Sequence, residues 1–241
     1  MSSATTTPRT KVELQGLRRQ FKAISTAAGT DCRNYQVRVH RALSWYGRAL
    51  DQDAEVQPDG RLIFGWIAFN ALYGSWDPAS GIPVRDGEAW KAFLGELMQI
   101  DHEGLLGAEL ERSRPEILGL LENQFLDPRF WRDPQRSGSF RKRYHEAQSL
   151  YAEQRWHDLL ILAIERVYVL RGQIVHGAAT HGSQLNRKTL GQCSVVLERL
   201  LPVILRLVVH NRIDDRWPPL CYPPIEQASK PAGGARNNRP R

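Results

Sequence analysis

From about residue 30 to residue 210 the apolar positions recur at helical spacing. Thr30 or Asp31 can cap a helix that runs to about Leu50, with Val37, Arg41, Trp45 and Arg48 on one face and Val39, Leu43, Tyr46 and Leu50 on another. The turn at 57–61 follows. Residues 62–76, LIFGWIAFNALYGSW, are apolar all round, which predicts a helix buried inside a bundle rather than laid on it. Gly74 ends that helix and Pro78 prevents its continuation. Asp86 caps a helix to about Met98. Residues 101–126 predict two short helices broken at Ser113-Arg-Pro-Glu116, which has capping-box spacing and a Pro in the first turn.

Two Asp-Pro pairs and a Ser-Gly make 127–138 a loop, and 139–153 resumes as a polar helix. A long helix spans about Trp156 to Gly177. After a loop at 180–186, the last helix runs from about Arg187 to His210 with a kink at Pro202. There is no internal repeat and no clear strand. About seven helices, one of them apolar all round, predict an all-α bundle.

Three segments follow from composition: a flexible basic segment at 1–22, a helical domain at 23–225 and a disordered basic tail at 226–241. Residues 1–10 read as disordered with the tail. The net charge of +7 sits entirely in the two ends, +4 and +3, while 23–225 holds 24 basic and 24 acidic groups. A basic chain is therefore weak grounds for nucleic-acid binding. No apolar run reaches the ~18 residues a spanning helix needs, and the N-terminus lacks a secretion signal. Cys32, Cys193 and Cys221 have neither metal-like nor disulfide-like spacing, so a reduced, cytoplasmic chain is expected.

The chemistry concentrates in Ile164 to Gly177. At about 100° per residue, Ala163, Val167, Leu170 and Ile174 form a core stripe. Glu165, Val169, Gly172 and His176 form a second stripe with the 4-3-4 spacing of a helix–helix contact. Arg171 lies about 140° around from His176 on an ideal helix. The two can cooperate only if the helix ends between them or a second copy supplies its own pair. Gly172, lacking a side chain, lets another backbone come close, and a two-fold axis doubles every residue near it.

Arg171-x4-His176-Gly177, inside LRGQIVHG, resembles the signature of HEPN domains (higher eukaryotes and prokaryotes nucleotide-binding). The stretch FGWIAFNALYG at 64–74 resembles the early helix of the Apea-like, bacterial branches of that family. The two motifs anchor the resemblance over roughly residues 30–212. It implies an HEPN-like bundle, dimeric through the motif helices, whose composite Arg171 and His176 site cleaves RNA without a metal or other cofactor and leaves 2′,3′-cyclic phosphate ends. It implies a toxin or phage-defence effector, with an antitoxin or other defence protein as partner. The residue types suit the reaction: His176 can transfer the proton of a ribose 2′-hydroxyl or a leaving 5′-oxygen, and Arg171 can hold the phosphate. The position after the motif Arg is frequently Asn in active branches, and here it is Gly172. The alternative is a catalytically inactive HEPN-like module that binds RNA, a nucleotide or a protein. A third reading is a helical interaction protein with no nucleic-acid role.

Residues 129–144, RFWRDPQRSGSFRKRY, hold six basic groups against one acid. Arg141, Lys142 and Arg143 with Trp131 suit single-stranded RNA, and the competing reading is a solvated loop anchored by its rings. His176 and His181 flank a Gly-Ala-Ala-Thr loop, but two His without a third ligand make a poor zinc site. No phosphate-binding glycine loop, nucleophile elbow or dinucleotide fingerprint occurs. Trp66, Trp76 and Trp90 are expected in the core.

Overall fold

No residue of helix α3, Pro58–Tyr73, is exposed in the computed structural model. The model describes residues 6–28, 32–54, 56–134, 139–178, 180, 184–211 and 217–223. Among these the chain is mostly helical, with ten α-helices and a pair of two-residue strands. No helix among the described residues is long and apolar enough to cross a membrane.

The all-round apolar sequence of α3 matches its position. It packs between α2 (Arg33–Leu50) and α10 (Gln184–Asn211), and also meets α4 (Asp86–Ile100) and α9 (Trp156–Val175). Leu62, Trp66, Phe69 and Leu72 are buried in one core with Val39 and Leu43 of α2 and Leu94 and Leu97 of α4. The predicted stripe of α9 is also in place: Ala163, Val167 and Leu170 are buried, and Ile174 packs against the core. Trp66 and Trp90 lie in the core as expected; Trp76 is half-buried against Tyr222.

Several elements depart from the sequence expectation. Residues 11–22 are not a flexible segment, and the disorder expected over residues 6–10 is not found: helix α1 covers Thr6–Ala28, and its Leu14 and Leu17 are buried in the common core. Its apolar positions Leu14, Leu17, Phe21 and Ile24 keep helical spacing among the charges. Helix α3 starts four residues early because Pro58 suits a first turn. Gly74 closes α3 without a left-handed backbone; a Cβ there would meet the Asn70 side-chain oxygen at 2.8 Å. Trp76–Asp77 (β1) and Ile82–Pro83 (β2) pair antiparallel. Helices α5 (Leu105–Arg112) and α6 (Arg114–Glu122) break at Ser113 as predicted, but the capping box is not made: the Ser113 hydroxyl donates to Glu109 instead.

The stretch 127–134 is not all loop. After a 3₁₀ turn at Gln124–Leu126, Asp127 caps Pro128–Arg132 (α7), its side chain accepting from the Arg129 N–H at 3.0 Å. Asp before Pro is itself a helix-start signal. Helix α8 covers Ser139–Ala152, and α10 starts at Gln184 and continues through Pro202. The tail at 226–241 and His181 lie outside the described residues.

Three buried arginines tie distant segments together. Arg38 donates through Nη1 to the carbonyls of Leu72 (3.1 Å) and Gly74 (2.6 Å), and through Nη2 to those of Pro218 (2.9 Å) and Pro219 (3.2 Å). Burial lowers its pKa to about 10, so it stays a cation at neutral pH. Arg61 forks onto Glu198 of α10 and reaches the Gln52 carbonyl. Arg166 donates to the Leu126 carbonyl and faces Asp127 at 3.8 Å, which pins the α7 segment to α9.

Candidate functional site

Helix α9 runs unbroken from Trp156 to Val175 and is closed by its glycine. Gly177 has φ +72°, a conformation that costs other residues a clash. The Gly177 N–H donates to Ile174 (3.1 Å) and the Ala178 N–H to Gln173 (2.8 Å). This is a Schellman closure, and it places His176 as the exposed residue at the helix end. The helix does not end between Arg171 and His176, so the two leave one chain in different directions.

Arg171 points into a cleft of about 600 Å³ walled by α2, α3, α4, α9 and the segment 217–223. Arg41, Asn70, Tyr73, Asp86 and Tyr168 share its lining. The Arg171 side chain is 23% exposed, with Nη1 3.7 Å from Asp86 Oδ2 and the guanidinium 5.8 Å over the Trp66 ring. Asp86 opens α4, but its carboxylate serves tertiary structure: Oδ1 accepts a 2.7 Å hydrogen bond from the buried Tyr73 hydroxyl. Burial, then the neighbouring Asp86 charge, pushes the Tyr73 phenol far up, so it remains a donor. The Arg171–Asp86 contact is an ion pair too long for a hydrogen bond. The guanidinium therefore keeps donors for an anion.

The second stripe of α9 is half-open. Glu165 and Val169 are half-buried, His176 is exposed, and a Cβ built on Gly172 meets nothing within 4 Å. The structure thus leaves the expected contact face clear within one chain.

The residues expected to hold RNA divide between two helices. Trp131 is on α7, 56% exposed, with Nε1 donating to the Phe125 carbonyl at 2.9 Å. Arg141, Lys142 and Arg143 are on α8; the first two are exposed, and Arg143 pairs with Glu146 at 2.8 Å and lines a groove with Glu165. The joining residues 135–138, with Arg136, and the Phe140 side chain lie outside the described residues.

Sequence reading missed Phe125. It forms a ring cluster with Phe130 and Trp131, with Phe125–Phe130 and Phe130–Trp131 centroids each 5.2 Å apart. The Phe125 carbonyl also accepts from Gln173 of α9 at 2.9 Å, three residues before His176. Gln173 and His176 are about 60° apart around the helix, so the cluster sits on the His176 side of α9. The local signal is Asn123, whose side chain caps the 3₁₀ turn by accepting from the Phe125 N–H at 3.0 Å, but the tie to α9 is a tertiary hydrogen bond.

Among the described residues, no group of three His, Cys, Asp or Glu is arranged to hold a metal ion. No family model, no curated protein and no solved structure matches the chain.

Proposed function

We propose that the protein is a metal-independent endoribonuclease of the HEPN kind that works as a homodimer. The observation that carries this reading is the state of Arg171: a guanidinium largely enclosed in a cleft, oriented by Asp86 and Trp66, with donors left for a phosphate. His176, held at the exposed end of the same helix, supplies the proton transfer. In a single chain the pair is about 140° apart, so the composite site needs a second copy, and the open stripe at Gly172 is the face of α9 free to meet it. A His176 imidazole takes the proton of the ribose 2′-hydroxyl as that oxygen attacks phosphorus, the P–O5′ bond breaks, and the leaving 5′-oxygen takes a proton in turn. The products carry a 2′,3′-cyclic phosphate and a free 5′-hydroxyl. A cellular role as a toxin or phage-defence effector, with a cognate antitoxin or other defence protein, follows from the family resemblance.

The test is incubation of the purified protein with total RNA in the presence of chelator, beside His176→Ala and Arg171→Ala. Loss of the general acid–base group lowers the rate roughly 10²- to 10⁴-fold. Arg171→Lys is also damaging, because an ammonium lacks the planar fork. DNA, without the 2′-hydroxyl, survives. Cleavage that requires magnesium or persists in His176→Ala refutes the assignment.

Gly172 in place of the polar residue frequent in active branches favours a second reading: an inactive module of the same fold that binds RNA, a nucleotide or a protein. A dimer that never cleaves RNA selects it.

A further inference from the structure

The charge of the chain is unevenly placed along it. Residues 1–50 hold nine basic and two acidic groups, whereas residues 51–241 hold twenty-four of each. Helices α1 and α2 together carry nine basic groups against one acid, Glu13, and α2 contains no acid at all.

These two helices pack together and leave a groove along their seam. One half, about 680 Å³, is lined by Arg18, Lys22, Ser25, Gln36 and His40 among others. The other half, about 450 Å³, is lined by Lys11, Gln15 and Arg48, and Arg18 and Ser44 belong to both halves. The two hollows adjoin at Arg18 and Ser44, so cations line the seam on both sides of the Arg18 side chain. Among the described residues, Asp51 is the only acid in the seam's lining, and Lys11 takes it at 3.1 Å.

The groove has a built centre. Arg18 lies across Gly47 of α2, with Nη2 2.5 Å from where a Cβ would stand, and donates to the Leu43 carbonyl at 3.1 Å. A glycine inside a helix costs about 1 kcal/mol relative to alanine. At position 47 it leaves room for the exposed Arg18 guanidinium to lie against α2.

We infer that the α1–α2 seam is a docking groove for the phosphodiester backbone of single-stranded RNA. Apart from the Asp51 carboxylate, the polar side chains of the lining are cations, hydroxyls, amides and an imidazole, groups that contact phosphate and sugar. The groove also lacks what a protein partner needs at the centre of its footprint. Its apolar residues Leu14, Leu43 and Leu50 are buried and Phe21 is half-buried, so among the described residues no exposed aliphatic or aromatic anchor lies in it. Naming RNA rather than DNA as the occupant rests on the proposed nuclease reading; the groove itself reads only the backbone.

The test measures binding of the full chain to a labelled, fully 2′-O-methylated oligonucleotide, which cannot be cut, over a series of potassium chloride concentrations. Each phosphate contact contributes about 0.7 to the slope of log affinity against log salt for single strands. The triple variant Arg18→Gln, Lys22→Gln, Arg48→Gln is expected to flatten that slope by about 2. The double variant Lys22→Gln, Arg48→Gln leaves the Arg18–Leu43 hydrogen bond intact and is expected to show about two thirds of that loss. An unchanged slope in the folded double variant overturns the inference. So does polyglutamate binding that matches the oligonucleotide in strength and in sensitivity to the substitutions, because the occupant is then an acidic protein segment. Cleavage of ordinary RNA is followed in parallel. His176→Ala removes cleavage and leaves the slope alone, so failure of the groove and failure of the nuclease reading are distinguishable.

Discussion

Asp86 and Arg171 face each other 3.7 Å apart across the wall of the cleft without sharing a hydrogen bond. The carboxylate is anchored from its other side by the Tyr73 hydroxyl. Asp86 is thus a fixed counter-charge, and the guanidinium is oriented by its field and by the Trp66 ring.

That division of labour separates two substitutions. Asp86→Asn keeps an acceptor for Tyr73 and removes only a partly exposed ion pair, so it costs less than about 1 kcal/mol. Asp86→Ala leaves the buried Tyr73 hydroxyl without its acceptor and costs about 1–3 kcal/mol. Urea unfolding midpoints check the order. Equal losses mean that the ion pair dominates instead.

Gly172 sits in an open helix face, so its effects on the monomer and on assembly have opposite signs. Gly172→Ala raises monomer stability by up to about 1 kcal/mol, since the new methyl meets nothing and the helix propensity improves. Gly172→Leu overpacks a helix–helix contact and weakens the dimer. Light scattering reads the second effect and dilute-protein urea unfolding the first. A wild-type chain that is monomeric at micromolar concentration removes the composite-site argument.

Arg38 is the tie between α2, the end of α3 and the segment 217–223. Replacing it with Met strands four carbonyls and costs about 3–5 kcal/mol. Arg38→Lys recovers little, because one ammonium cannot reach two pairs of carbonyls. The checks are the urea midpoint and faster proteolysis within 217–223. Proteolysis unchanged from wild type contradicts the tie.

The β1–β2 turn carries a pH signature. Asp77 accepts from the Ser80 hydroxyl at 2.6 Å and from the Ala79 N–H at 3.0 Å, which holds its carboxyl below the usual carboxylate range. With the folded value depressed, its contribution to the turn is complete at neutral pH and is lost as pH falls through that lowered value. Ser80→Ala moves the Asp77 titration back up, and side-chain carboxyl NMR follows it. An unmoved titration rules out the hydroxyl as the cause.

Local pattern was enough for the helices whose burial repeats along them. The all-round apolar run at 62–73 could only be interior, and the stripe Ala163, Val167, Leu170 and Ile174 could only face the core, because each residue's environment follows from its neighbours one turn away. The break at Ser113 and the closure at Gly177 were legible for the same reason: Pro and Gly act on their own backbone. Glu165, Val169, Gly172 and His176 were readable as one stripe, and in the structure Glu165 and Val169 are half-buried while His176 is exposed.

What the sequence could not show are pairings between chain segments far apart. Arg38, Arg61 and Arg166 look like solvent residues in a helical pattern, yet each is buried because carbonyls or carboxylates from other elements meet it. The Gln173 hydrogen bond to the Phe125 carbonyl and the Asp86 counter-charge arise the same way. Helix α1 was hidden because charges outnumber its narrow apolar stripe, and only packing against α2 and α10 gives Leu14 and Leu17 something to bury against. Side-chain chemistry and helical period are properties of the chain, but whether a cation ends in water, on a carbonyl or across a cleft from a carboxylate is decided by which surfaces the bundle brings together.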